Sequence, residues 1–204
     1  MTEYLITGPE KITNLIKLLT LFCILISSCS TVPPLVSLVG NAGISSRGIT
    51  SSVEDSYMKT KIVAKLSTLN LSNLKDITVS VCLGSILLTG YADDQTNRLK
   101  IVESVWEIEG IKKVYNEMKV DSSVTISERT EDFIFESKLT ARLLFKSGVN
   151  SNNYSIDVVG GDVYVIGLAP NLEEKTTLEE FLESMKDIPK LVTIIMLEET
   201  EKRN

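Results

Sequence analysis

The feature that most constrains this chain is a glycine-marked stretch that occurs twice. "VCLGSILLTG" spans Val81–Gly90, and "VVGGDVYVIG" spans Val158–Gly167, 77 residues further along. The inner glycine and the closing glycine coincide in the two stretches. A glycine loop that binds a ligand has no need to occur twice, whereas a duplicated module carries its strand–turn–strand hairpin in each copy. The sequence therefore predicts two tandem domains of one fold.

The repeat extends well beyond the hairpin. Residues 54–120 align with residues 131–197 without a gap, and 13 of the 67 aligned positions are identical. The identities include the acidic pair that opens each copy, the hairpin glycines and apolar positions at helical spacing. We predict a first domain over 54–120, a polar linker over 121–130, a second domain over 131–198 and a polar tail over 199–204.

Each copy has the pattern helix, strand, strand, helix, strand. In the first copy, residues 54–70 show helical spacing of apolar side chains and residues 76–83 alternate with period two. Gly84-Ser85 is predicted to turn the chain into the second strand, and Gly110 is predicted to end the second helix. The predicted fold class is therefore α+β, with two tandem αββαβ domains, each a three-stranded sheet with two helices on one face.

The two predicted sheets differ in how apolar they are. In the second copy both faces are apolar, whereas the matching outer face of the first copy carries Thr78, Ser80 and Thr89. The outer face of the second sheet consists of Val159, Tyr164, Ile166, Val192, Ile194 and Met196. An apolar face of this size is expected to be covered. The cover is either the first copy or a protein partner.

The N-terminal segment has the pattern of a secretion signal. Lys11 and Lys17 precede the apolar run Leu18–Ile26, which is far shorter than the roughly 18–20 residues that span a bilayer. The stretch Ile26–Cys29 resembles the lipobox of bacterial lipoproteins. A cysteine that merely follows a signal peptide cut elsewhere is the alternative. We predict a signal peptide over 1–28, a lipidated Cys29 and a flexible tether that extends to residue 53.

Composition excludes several classes of function. The chain has no histidine, so His-based acid–base chemistry and imidazole metal ligation are absent. With a net charge of -6 and no long run of Lys or Arg, nucleic acid is not an expected partner. Cys82, on a predicted strand without a basic cluster, is expected to be structural rather than catalytic. We predict no catalytic residue, no metal site and no cofactor.

The residues of both copies resemble those of the BON family (bacterial OsmY and nodulation domain). The first copy carries the glycine-marked hairpin and "GIKKVYNEMKV"; the second carries its hairpin and the divergent "DIPKLVTIIML". With a lipobox in front, the layout is similar to that of dual-BON outer-membrane lipoproteins. The resemblance implies a non-catalytic protein that is lipid-anchored in the outer membrane with its body in the periplasm. It further implies binding of anionic phospholipid and support of envelope integrity.

The first helix of the second copy is the predicted lipid site. On a helical wheel Phe135 faces the core, while Ile134 and Phe145 lie beside Lys138 and Arg142 on the other side. Apolar side chains interleaved with basic ones suit a helix at a membrane surface, where cations meet lipid phosphate. Packing of Ile134 and Phe145 against the other copy is the alternative. A second alternative for the whole protein is a periplasmic adaptor that binds an envelope protein through the apolar outer face of the second sheet.

Overall fold

The computed structural model describes residues 48–69, 71 and 74–198, without the side chains of residues 48–52 and 75. The predicted signal peptide, Cys29 and the predicted tail over 199–204 lie outside the described residues.

The described part of the chain forms four α-helices and seven strands in two successive groups. The first copy contains α1 (Gly48–Ser67), β1 (Ile77–Cys82), β2 (Ser85–Ala92), α2 (Gln95–Trp106), β3 (Lys113–Asn116) and β4 (Lys119–Val120). The second copy contains α3 (Ile126–Leu144), β5 (Tyr154–Val159), β6 (Asp162–Ala169), α4 (Leu172–Glu183) and β7 (Leu191–Leu197). The predicted α+β class and the αββαβ order of both copies are confirmed.

The two sheets share one topology. In each, the first two strands form an antiparallel hairpin, and the last strand pairs in parallel with the second. The spatial order is β1-β2-β3 in the first sheet, with β4 also on β2, and β5-β6-β7 in the second. The β1 and β5 strands are consequently edge strands of their sheets. A parallel pair needs a crossover, and α2 and α4 provide it.

The hairpin turns explain the duplicated glycines. The turn of the first hairpin is Leu83–Gly84, one residue earlier than predicted, and both residues have positive φ (50° and 79°). Two successive residues with positive φ form the type I′ turn that matches the twist of paired strands. The closing glycine serves another purpose, because a Cβ on Gly167 would lie 2.3 Å from the Asn153 carbonyl oxygen. These glycines are therefore structural.

The third strand is interrupted in the first copy. The Asn116 side-chain oxygen accepts a hydrogen bond from the Met118 backbone N–H at 3.3 Å, between the end of β3 and the start of β4. Met118 is buried in the core of its own domain. In the second copy Thr193 stands where Asn116 stands in the first, and β7 runs without interruption. The short side chain of Thr193 makes no equivalent bond.

Each domain has its own core between its helices and its sheet. Ile62 and Leu66 of α1 pack on Val79 and Val81 of β1 in the first domain. In the second, Leu139 of α3 belongs to a cluster with the inner residues of β5 and β6. Apolar side chains at i and i+4 on each first helix thus face the sheet, as the sequence predicts.

A third cluster lies between the two sheets. It joins the outer face of the second sheet to first-copy residues that are themselves buried or half-buried, namely Cys82, Leu83, Leu87, Tyr91 and Tyr115. The domains therefore form a sandwich of four layers in the order helix, sheet, sheet, helix. Of the two predicted covers for the second sheet, the first copy is the right one. The adaptor alternative places its protein partner on the outer face of the second sheet. That face is instead covered by the first copy, so it is not open to a partner in this arrangement.

Two helices begin earlier than the sequence analysis places them. Helix α1 begins at Gly48, within the stretch assigned to the tether, and α3 begins at Ile126, within the stretch assigned to the linker. At α3 the cause is a capping box, in which the Thr125 side chain accepts from the Glu128 N–H and the Glu128 side chain accepts from the Thr125 N–H.

Candidate functional site

Helix α3 exposes an unusual amount of apolar surface for a helix with a packed inner face. Phe133 is 67% exposed, Ile134 45%, Leu144 61% and Phe145 85%. A monomeric domain leaves single apolar residues in solvent without consequence, but a group of them on one element marks an interaction surface. These four residues together with Lys138 and Arg142 are called the α3 surface below.

The structure places the five predicted site residues as follows. Ile134, Lys138 and Arg142 are exposed on the outer side of α3, and Phe145 caps the C-terminal end of that helix. Phe135 is half-buried and packs against the core of the second domain. None of the five belongs to the cluster between the sheets. With Ile134 45% and Phe145 85% exposed, neither side chain is buried against the first domain.

A groove runs alongside this helix. Its volume is about 260 Å³, and one wall is formed by Phe135, Lys138, Leu139 and Arg142. These residues fall at i, i+3, i+4 and i+7, so they share one side of α3. Met185 and Asp187, in the turn between α4 and β7, form the opposite wall. The α3 groove thus has an apolar floor, two cations on one rim and one carboxylate on the other.

The charged groups of the α3 groove have no ion-pair partner among the described residues. Lys138 and Arg142 face Asp187 across the groove, yet no nitrogen of either cation lies within 4.0 Å of the Asp187 carboxylate. Opposite charges that line one groove without touching leave room for a group between them. Their electrostatic attraction is available to a ligand of matching charge pattern.

The equivalent basic side chains of the first domain already contact other groups. Lys65, which corresponds to Arg142, forms an ion pair with Glu107 at 2.7 Å, and Lys61, which corresponds to Lys138, lies 4.6 Å from the Tyr57 ring centroid. In the second copy Ser184 replaces that glutamate. The two copies therefore differ in whether their basic pair is free to meet an external group.

The opposite walls of the equivalent region touch in the first domain. Gly110 stands there in place of Asp187, and a Cβ added to it would lie 3.2 Å from the terminal carbon of Met58. Met58 corresponds to Phe135 of the groove. The first copy thus lacks both the carboxylate and the space that distinguish the second.

Sequence reasoning missed part of this site. Phe133 and Leu144 lie outside the wheel sector that holds the basic pair, and Met185 and Asp187 belong to a turn more than 40 residues away in the chain. A signal was nevertheless present for Asp187, because it replaces the glycine at which the second helix of the first copy gives way to its last strand. Such a replacement places a charged side chain where the turn needs none.

A second cleft lies along the seam between the domains. Its volume is about 780 Å³, and hydroxyl-bearing side chains of β1, α3 and β5 dominate its lining. Two carboxyl groups also line it. Burial raises the pKa of Asp157, and burial together with the charge of Asp157 raises the pKa of Glu136. Both acids therefore bind their protons at higher pH than an exposed carboxyl group does.

Further polar contacts hold the domains together around this seam. Lys119 pairs with Asp162 at 2.9 Å, and Tyr91 donates to Asp132 at 3.3 Å. Burial and the Asp132 charge raise the pKa of Tyr91 to about 12. Cys82, fully buried in the cluster between the sheets, has a structural position.

Within the described residues, no helix is both long enough and apolar enough to cross a bilayer. Helix α3 is amphipathic, with one face on the core of the second domain and exposed apolar residues elsewhere.

Comparison with known proteins gives one family. The BON domain matches this chain twice, over residues 54–122 and 131–193. An uncharacterized protein in the gshII 5'region of Anaplasma centrale is 34% identical over 128 residues, which cover 62% of this chain and 85% of that protein. The name of that relative states no activity.

Two solved structures of CdsD, a structural protein of the type III secretion system of Chlamydia trachomatis, are also similar. One is 11% identical with a TM-score of 0.29, and its match covers 70% of this chain and 64% of the solved chain. The other, the C-terminal domain, is 12% identical with a TM-score of 0.27, and its match covers 71% and 66%. In both, the match spans less than two thirds of the solved chain.

The family match covers both copies, with both hairpins, both second helices and most of both first helices, and its second segment ends within β7. Proteins with this domain are generally non-catalytic and are often associated with the periplasm or with membranes. The chain belongs to the BON-domain family and carries two BON domains in tandem.

Proposed function

We propose that this protein is a non-catalytic envelope lipoprotein whose second BON domain docks on phospholipid through the α3 surface. The observation that carries the proposal is the coincidence on α3 of exposed apolar side chains with two cations that have no ion-pair partner in the described chain, with Ile134 and Phe145 on the same side of the helix as the cations. Apolar side chains enter the headgroup boundary of a bilayer, and cations meet lipid phosphate there.

The expected strength of docking follows from these groups. Each basic side chain near an anionic surface contributes about 1 kcal/mol, and full burial of a large apolar side chain contributes roughly 1.5–3 kcal/mol. Insertion of α3 is only partial, so the apolar gain is smaller than full burial would give. Docking is therefore weak, and its basic part depends on salt concentration.

The second domain as a whole does not favour an anionic membrane. Residues 131–197 carry 6 basic and 11 acidic side chains, a net charge of -5. Attraction to anionic lipid must therefore be local to Lys138 and Arg142. Many of the acids lie on a different helix, α4. An anchor makes such weak docking useful, because a domain that is tethered to a membrane meets that membrane at high effective concentration.

The proposed anchor is a lipid on Cys29, after removal of residues 1–28, with residence in the outer membrane and the body in the periplasm. An anchor of three acyl chains would be stable, since each buried CH₂ contributes about 0.8 kcal/mol. Support of envelope integrity is the physiological role we propose for the anchored pair of domains. The Cys29→Ala variant should leave the membrane fraction; its full retention there would contradict the anchor.

Vesicle binding of the soluble body, residues 30–204, tests docking without the anchor. Replacing Phe145 by Ala, or Phe133 and Phe145 together, should weaken sedimentation with vesicles that contain phosphatidylglycerol while leaving circular dichroism unchanged. Leu172→Ala is a matched control, because Leu172 is 64% exposed but lies on α4. If the control variant loses as much binding as the phenylalanine variants, α3 is not the docking element.

A further inference from the structure

The α3 groove has a charge pattern that a purely anionic lipid does not use. Lys138 and Arg142 on one rim suit a phosphate, but Asp187 on the other rim repels it. A headgroup that carries a phosphate and a cation at its two ends would satisfy both rims. The apolar floor of Phe135, Leu139 and Met185 would then meet the start of the acyl chains.

We propose that the α3 groove binds the headgroup of phosphatidylethanolamine from the bilayer, with the lipid phosphate at Lys138 and Arg142 and the primary ammonium at Asp187. The proposal rests on the docking function above and names the lipid that the docked helix selects. The primary ammonium has three N–H donors for a carboxylate, whereas the quaternary ammonium of phosphatidylcholine has none. The groove therefore distinguishes two lipids of equal net charge.

Two observations support this choice over a simple anionic site. The rims carry opposite charges that lie in one groove without pairing to each other or to another described residue, so a ligand gains their attraction without breaking an ion pair of the described chain. The first domain, with Gly110 in place of Asp187 and with Lys65 held by Glu107, offers the contrast within the same chain. Its basic pair is occupied, and it has no carboxylate on the opposite side.

Asp187 is a suitable residue to change. It is exposed and lies in a turn, so Asp187→Asn alters the charge with almost the same shape and little effect on folding. Glu183→Gln is the matched control, because it removes the same charge from the exposed end of α4 without lining the groove. Both variants reduce the negative charge of the second domain equally.

The experiment measures binding of residues 30–204 to vesicles with a constant fraction of phosphatidylglycerol, in which the remaining lipid is either phosphatidylcholine or phosphatidylethanolamine. We expect the wild-type body to bind the ethanolamine vesicles about tenfold more tightly, the effect of one charge-assisted hydrogen bond. Asp187→Asn should reduce this preference to about twofold or less and strengthen binding to phosphatidylglycerol, since it removes a repulsive charge. Glu183→Gln should retain the preference.

Equal binding of the wild-type body to the two vesicle types would overturn the inference. So would a preference that survives in Asp187→Asn, because it would then arise from the packing of ethanolamine lipids and not from the groove. If the wild-type body binds neither type of vesicle, the docking function itself is contradicted, because both types contain phosphatidylglycerol. The two failures are therefore distinguishable.

Discussion

Ser80 and Asp157 occupy equivalent positions of the two BON domains and meet across the interface, where the Ser80 hydroxyl donates a hydrogen bond of 3.1 Å to the Asp157 carboxylate. Their offset in the chain, 77 residues, is the offset of the repeat itself. The domains therefore pack about an approximate two-fold axis that passes close to this hydrogen bond, as in an isologous dimer made from one chain.

A second pair of contacts has the same symmetry. Lys119 meets Asp162, and Met196, the equivalent of Lys119, meets Ser85, the equivalent of Asp162, at 3.8 Å between Sδ and Oγ. The interface is symmetric in position but not in chemistry. One side forms an ion pair, and the other forms a weak contact, because duplication preserved the geometry while the side chains diverged.

Asp157 should make stability depend on pH. Burial raises the pKa of Asp157, with Ser80, Lys59 and Thr89 partly opposing the rise. Below the ordinary value of about 3.9 both states hold the proton and the native state has its full stability. That stability is lost as pH rises through the raised native pKa, because only the native state resists ionisation.

Asp157→Asn should therefore be more stable than the wild type at neutral pH and similar to it at low pH. The free energy of unfolding in urea, measured across that range, checks this expectation. Glu136→Gln should act in the same direction with a smaller effect, since Glu136 is half-buried. A wild type that gains stability as pH rises from 4 towards neutral, relative to Asp157→Asn, would show that Asp157 is stabilised by its partners more than burial penalises it.

Thr125 should matter for the second domain because it caps α3. Replacing Thr125 by Ala removes the side-chain acceptor for the Glu128 N–H and should cost about 1 kcal/mol of unfolding free energy. Thr125→Ser keeps the hydroxyl and serves as the control. Equal loss in both variants would mean that the methyl group of Thr125, and not its capping bond, carries the effect.

Gly167 should not tolerate a side chain. A Cβ at this position would lie 2.3 Å from the Asn153 carbonyl oxygen and 2.4 Å from Cδ1 of Tyr154. Gly167→Ala should therefore destabilise the protein by more than about 3 kcal/mol, since backbone and a buried ring must both move. Thermal unfolding checks this, and an unchanged midpoint would show that β6 and the 3-10 turn Ser151–Asn153 shift apart easily.

Cys82 should report on the interface between the domains. It is fully buried between the sheets, so in residues 30–204 it should react with a thiol reagent only when the sheets separate. Tyr164→Ala removes one of the largest buried side chains of the cluster and should cost roughly 3–5 kcal/mol and accelerate the reaction. Rapid modification of the wild type would contradict a closed interface.

Much of the fold could be predicted from the sequence, because its elements depend on local periodicity and on the repeat. The burial of Ile62 and Leu139 follows from helical spacing, and the two apolar faces of the second sheet follow from the nearly continuous apolar run of β6. The identity of the cover did not follow, since the first sheet presents Thr78 and Ser80 on that side. Asp157 meets Ser80 there, and pairing of polar groups leaves no periodic signal.

The candidate site could be predicted in part for the same reason. A helical wheel shows which residues share a face of α3, and it gave Lys138 and Arg142 correctly as exposed. It does not show that Asp187, which belongs to another element, lies opposite them across the groove. Nor does it show that Lys65 of the first copy forms an ion pair with Glu107. Contacts between elements decide which basic pair is available, and a single sequence does not contain them.

The most direct test of lipid docking compares the two equivalent basic pairs. Lys138→Glu with Arg142→Glu should abolish binding of residues 30–204 to vesicles with phosphatidylglycerol at low salt, with circular dichroism intact. Lys61→Glu with Lys65→Glu should have a much smaller effect, because these cations already contact Tyr57 and Glu107. Equal losses in the two double variants, or retained binding in both, would contradict the account.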